Sequence, residues 1–192
     1  PLHYMISDKS GNTAIFEYLD GKAVIHTGKG LERAVLANNT YSQSLQLMKK
    51  FKDFGGQQVL EKNGRSPERF AIACRGLDSM KTIPNKTDYA FGILKETDKE
   101  NTQWSTVYDI RNMSIYVRSR ENQGIKKVEF KDFNFKDGSS PLYADLNTDG
   151  KDGKLQFNVH TYNVNLKLLE ISYEKLKRFV PVNIKYDEIA KY

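Results

Sequence analysis

The chain has 192 residues, 39% of them hydrophobic and 28% charged, the size and composition of one globular domain spanning residues 1–192; a lone cysteine, Cys74, excludes an internal disulfide. No apolar run approaches the ~18 residues that a membrane span needs, so no membrane partner is expected. The net charge of +6 comes from Lys and Arg scattered among 24 acids, which reads as a solvated surface rather than a nucleic-acid face.

Pro1-Leu2-His3-Tyr4-Met5 has no basic stretch followed by an apolar one, so no signal peptide is visible, and a chain opening on Pro rather than Met leaves open the loss of one, or of much more. The first third reads as a strand meander running into a helix. His3 to Ser7 is a short apolar run, Asp8 to Asn12 a turn, and Thr13 to Leu19 is rich in β-branched and aromatic residues. Asp20-Gly21 supplies the positive φ angles of a tight hairpin, from which Lys22 to His26 returns. Arg33 to Ala37 is a fourth strand candidate, closed by Asn38-Asn39-Thr40. A helix is expected from there to Gly55-Gly56, with Tyr41, Leu45 and Met48 on one stripe and Leu47, Phe51 and Phe54 beside it.

Ser66-Pro67 is a helix start, a capping hydroxyl followed by a ring already set to helical φ, and Phe70, Ala73, Cys74 and Leu77 repeat at helical spacing. A further helix is expected from Thr87 to about Lys95. From Gln103 the period changes to two: Gln103 to Ile110, Met113 to Arg118 and Lys126 to Phe130 read as a second meander. Phe157 to His160 is a last strand candidate, and Asn163 to about Lys177 a last helix. Two groups of antiparallel strands with helices grouped between them indicate an α+β fold.

Two residues stand out for chemistry. Arg69 falls in the opening turn of a helix, where the macrodipole is positive and an acid such as Glu68 is the natural occupant. It is either a surface residue paired with a nearby carboxylate or a guanidinium aimed into a site. Asn38 is either a turn or helix cap, or an amide donor for a developing oxyanion. Asp145-Leu146-Asn147-Thr148-Asp149-Gly150 matches the front half of a calcium loop, but the twelfth position is Gln156 rather than a bidentate Glu, so residues 145–156 read first as a polar turn and second as a calcium site. His3, His26 and His160 are isolated and lack zinc spacing. Cys74, on an apolar helix face, reads as inert packing, and Trp104 and the tyrosines of the second meander as core or cross-strand residues.

Several of these blocks together resemble a known family. His3 to Gly11 followed by Ile15-Phe16-Glu17-Tyr18-Leu19-Asp20-Gly21-Lys22 resembles the hairpin of the choloylglycine hydrolases and penicillin V acylases. Val35-Leu36-Ala37-Asn38-Asn39, Ser66-Pro67-Glu68-Arg69-Phe70, and Gln103 to Asp109 with Ile115-Tyr116 and Arg118 are similar to three further segments of that family, in the same order. The resemblance is good from His3 to Arg118 and thinner to Lys177.

It implies an N-terminal nucleophile hydrolase fold, an αββα sandwich present here incompletely, and a substrate that is a small-molecule amide, with no cofactor or metal. In that family an N-terminal Cys attacks a linear amide while its own α-amino group acts as base. Asn38 then corresponds to the oxyanion-hole asparagine and Arg69 to the arginine beside the nucleophile. The family's nucleophile lies upstream of the block with which this chain begins, so the chain is expected to be a C-terminal portion, inactive by itself. Its unpaired strand edges and apolar faces are expected to associate with the missing N-terminal segment or with further copies as a homo-oligomer. The second reading is a non-catalytic binding or scaffold protein that keeps the fold.

Overall fold

The computed structural model describes residues 2–62 and 64–176. Its order is β1 (His3–Ser7), β2 (Thr13–Leu19), β3 (Lys22–Thr27), α1 (Tyr41–Met48), α2 (Ser66–Ser79), α3 (Lys86–Glu96), β4 (Trp104–Asp109), β5 (Ser114–Ser119), β6 (Lys126–Glu129), β7 (Leu142–Tyr143), β8 (Asn158–Val159) and α4 (Tyr162–Leu176). The class is α+β as expected: two three-stranded antiparallel sheets, β1-β2-β3 and β4-β5-β6, and a two-stranded ribbon of β7 with β8. The expected end of the last helix at Lys177 lies outside the described residues.

Asp20 and Gly21 both take positive φ, 48° and 76°, which is the two-residue turn whose twist matches its strands. That turn fixes the register of β2 on β3, with Glu17 opposite Val24 and Ile15 opposite His26. Because side chains alternate between faces, Ile15, Glu17, His3 and His26 share the inner face. Tyr4, Ile6, Tyr18 and Ile25 stand exposed on the other. Beneath the inner face, Ile15 joins Val35, Tyr41, Met48, Phe51, Phe70, Ala71 and Cys74 in the core, so this sheet, α1 and α2 form one packed unit.

Two expectations about the segment between β3 and α2 need correction. Arg33 to Ala37 is an irregular loop, not a strand. Val35 is buried, which explains the apolar run, but the backbone of Arg33 bonds to a side chain: its N–H donates to the Tyr41 hydroxyl (2.8 Å), and that hydroxyl donates to its carbonyl (3.1 Å). A hydroxyl that can both donate and accept takes the place of a neighbouring strand. The helix from Tyr41 ends at Met48 rather than running to Phe54. Lys50 and Phe51 turn off through tight bonds to Leu47 and Met48, and Gln58 then bridges back, accepting the Lys52 N–H and donating its own N–H to the Lys50 carbonyl. Gly56 makes this possible, since a Cβ there would collide with the Lys50 carbonyl.

The second sheet joins the first unit through α3. Arg118 on β5 donates to the Phe91 carbonyl (3.2 Å) and lies 5.0 Å from the centre of the Phe91 ring, while Phe91 itself is buried. Trp104 and Tyr108 do not enter a core. Trp104 faces Ser119 and Tyr108 faces Ile115 across the ladder, and both are exposed. Strand periodicity gives them a shared face and says nothing about whether another layer covers it.

Candidate active site

The two residues singled out for chemistry meet. Arg69 Nη2 donates to Asn38 Oδ1 at 2.8 Å, joining side chains 31 positions apart in sequence. Each reaches that point because its local role is taken by a neighbour. The cap of α1 is Thr40, whose hydroxyl accepts from the Gln43 N–H at 3.3 Å, so Asn38 is left without a capping duty. Ser66 does not cap α2, contrary to the sequence reading: it lies within the first turn, and its hydroxyl accepts the Asn39 N–H at 3.1 Å. That bond ties the start of α2 to the loop carrying Asn38. Three residues on from Ser66, Arg69 projects from the same turn onto Asn38.

Nor does Arg69 have the carboxylate partner that a surface role would supply; it forms no ion pair among the described residues. Its Nε–H is buried and has no hydrogen-bond partner among those residues. A guanidinium only donates, so the atom of Asn38 facing it must be the carbonyl oxygen, and the amide nitrogen is turned the other way. Asn38 is exposed. The arrangement therefore offers two kinds of N–H donor side by side: the Asn38 carboxamide, polarised by a cation on its oxygen, and the spare donors of Arg69. Such a cluster suits a transient oxyanion or an anionic nucleophile.

Cys74 lies one helical turn beyond Phe70 and is fully buried. Burial pushes its thiol up to about 12; Arg33 opposes that rise and Asp78 adds to it. It is packing, not a nucleophile. The polar turn at 145–156 has its side chains engaged by protein donors: Asp145 accepts from the Asn147 N–H at 2.9 Å, and Asp149 from the Asn122 amide at 2.8 Å. A surface depression of about 650 Å³ is formed by Asp98, Lys99, Glu100, Asn101 and Arg120, so it does not include the Asn38–Arg69 pair. No helix among the described residues is long and apolar enough to cross a membrane.

The histidines are not all isolated. His26 Nε2 lies 3.0 Å and His3 Nδ1 3.6 Å from the carboxylate of Glu17, which is 3% exposed. Sequence spacing alone missed this cluster, although the Asp20-Gly21 turn held the signal. Counting outward from that turn places Glu17 and His26 on one face of adjacent strands.

Comparison with known proteins gives a consistent outcome. The chain is 32% identical to the penicillin V acylase of Pectobacterium atrosepticum over 174 residues, covering 76% of this chain and 46% of that protein. Among solved structures it resembles penicillin V acylase from Agrobacterium tumefaciens, with a TM-score of 0.59 and 23% identity over 71% of this chain and 48% of that one. A variant of conjugated bile acid hydrolase from Clostridium perfringens superposes with a TM-score of 0.56 at 16% identity, covering 84% of this chain and 54% of the other. These structural likenesses show a shared N-terminal nucleophile hydrolase fold. No family model matches the sequence. The chain spans about half the length of the relatives it matches.

Proposed function

Because this chain belongs to the choloylglycine hydrolase and penicillin V acylase family of amide hydrolases, we propose that it supplies the oxyanion-binding part of a linear amide hydrolase. The observation that carries the reading is the 2.8 Å bond between Arg69 and Asn38. When a thiolate adds to an amide carbon, the C–S bond forms and the carbonyl π electrons move to oxygen. The Asn38 Nδ2–H donates to that oxyanion, and Arg69 holds the carboxamide in the orientation that lets it do so. The spare Arg69 donors support the thiolate before it attacks. The α-amino group of the nucleophile's own residue takes the thiol proton and returns it to the departing amine as the adduct collapses, which leaves a thioester for water to cleave.

No residue described here provides the sulfur, since Cys74 is buried and protonated. The nucleophile comes from a separate stretch of polypeptide, the N-terminal segment. The exposed apolar face of Tyr4, Ile6, Tyr18 and Ile25 supports association of this chain with that segment or with another copy. Light scattering of the 192-residue chain should then give a mass above that of a monomer, and a clean monomer would count against association with itself.

The direct test is hydrolysis of penicillin V and of conjugated bile salts, by this chain alone and by the product of a reading frame that includes the DNA upstream of Pro1. Turnover only with the longer product is the expected result. Absence of turnover from that product with either substrate class would sink the reading and favour a fold-retaining binding protein.

A further inference from the structure

The inner face of the first sheet carries a group that the reaction outlined above leaves unused. Glu17 sits in the middle of β2 and is 3% exposed, and a carboxylate there is costly unless its oxygens are bonded. One oxygen accepts from His26 Nε2 at 3.0 Å. The other accepts the backbone N–H of Tyr41 at 2.9 Å and lies 3.6 Å from His3 Nδ1, a buried nitrogen with no hydrogen-bond partner among the described residues.

Tyr41 is the first residue of α1, and its N–H is one of the donors that a helix start leaves unmet. Glu17 is thus a cap delivered across 24 positions of sequence, with its negative charge at the positive end of the helix. Tyr41 in turn closes the loop from Arg33. Its hydroxyl bonds both the N–H and the carbonyl of Arg33, and its ring lies 4.6 Å from that of His26, centre to centre. Asn38 stands within the loop so closed, three residues before the clamped N–H.

We infer that Glu17 is a positioning residue for the Asn38–Arg69 pair: its carboxylate, bonded by His26, holds the Tyr41 N–H and through it the loop that aims the Asn38 amide. The catalytic consequence rests on the amide hydrolase reading; the geometric one does not.

Hydrogen exchange and ¹⁵N relaxation of the full chain separate the two. Replacing Glu17→Leu keeps an apolar filling of similar size and removes the acceptor. Tyr41 amide exchange should then rise by about 10- to 100-fold relative to the amides of Phe70 and Ala71, the range set by losing one buried hydrogen bond. The Asn38 side-chain NH₂ should lose order at the same time. Glu17→Gln keeps a carbonyl oxygen for Tyr41 and should return both signals to those of the natural chain, with His26 accepting from the new amide. Should Glu17→Leu fail to fold, Glu17→Asp gives the same reading, because it keeps the charge and gives up the reach.

With the upstream segment present, the Leu variant should lower kcat with KM little changed, and the Gln variant should restore it. Unchanged Tyr41 exchange and Asn38 order in the Leu or Asp variant would overturn the inference, as would a Gln variant that behaves like Leu. A longer reading frame without any turnover would instead remove the hydrolase reading, leaving the exchange data to decide the role of Glu17.

Discussion

On the proposed function, the Asn38–Arg69 bond predicts how two substitutions combine when the chain is made together with its upstream segment. Asn38→Ala removes the proposed oxyanion donor outright, and the loss of one such donor lowers kcat by about 10²- to 10³-fold. Arg69→Met keeps most of the stem and removes the cation. Asn38 is exposed, so once the bond to its oxygen at 2.8 Å is gone nothing described holds the carboxamide plane. It then presents its oxygen as readily as its nitrogen. That loss of orientation, with loss of the charge-assisted bond worth about 1.5–3 kcal/mol, sets the Arg69→Met penalty at roughly 10- to 100-fold. Much of that penalty acts through Asn38 and has nothing left to act on in the double variant. The double variant should therefore fall short of the product of the two single effects by about 10-fold, a coupling near 1.4 kcal/mol. The assay is kcat under saturating penicillin V for the four proteins of the cycle. Strict multiplication of the single effects would refute the claim that Arg69 orients the amide, whatever else Arg69 does for the thiolate.

Two glycines on facing helices should respond to alanine with opposite signs. A Cβ on Gly76 of α2 would meet Ile93 Cδ1 at 2.5 Å and Cγ1 at 2.6 Å, and Ile93 is stiff at its branch point, so Gly76→Ala should cost about 1–3 kcal/mol in urea unfolding despite its better helix propensity. On Gly92 of α3 nothing lies within 4 Å, and Gly92→Ala should stabilise by up to about 1 kcal/mol. Equal responses at the two sites would contradict the α2–α3 packing. The Cys74 thiol should resist alkylation in the native chain at pH 8 and react at once in denaturant, because burial pushes it up to about 12. Its ordinary value is 9.0, so the folded state keeps a proton that the unfolded chain loses above that pH. The resulting stability is full below pH 9 and is lost as pH rises toward about 12, which an unfolding series against a Cys74→Ala control would show.

How much of this was legible beforehand follows from the range of the forces involved. The β2–β3 hairpin could be read because Asp20-Gly21 and alternating side chains are local signals, and they agree with each other. The start of α2 could be read from Pro67 for the same reason. Arg33 to Ala37 misled because burial of Val35 and backbone pairing are separate requirements. An apolar run reports the first, and here the second is met by a tyrosine hydroxyl from eight residues on. The helix after Tyr41 misled similarly. Phe51 and Phe54 keep helical spacing although a close approach at Gly56 ends the helix early.

The site shows the same division more sharply. Asn38 and Arg69 were identifiable as anomalies, each a polar residue in a place that its own segment did not explain. Their meeting was not, because it depends on where unpaired backbone donors find acceptors. The Asn39 N–H goes to Ser66, the Tyr41 N–H to Glu17, and the Arg33 N–H to the Tyr41 hydroxyl. None of these bonds is between neighbours in sequence, yet a buried N–H without an acceptor is costly enough to select among loop conformations. The loop that aims Asn38 is thus fixed by side-chain acceptors rather than by secondary structure. Positioning residues are accordingly those that accept such N–H groups, which is why Glu17, the acceptor of the Tyr41 N–H, is the substitution with most to say about Asn38.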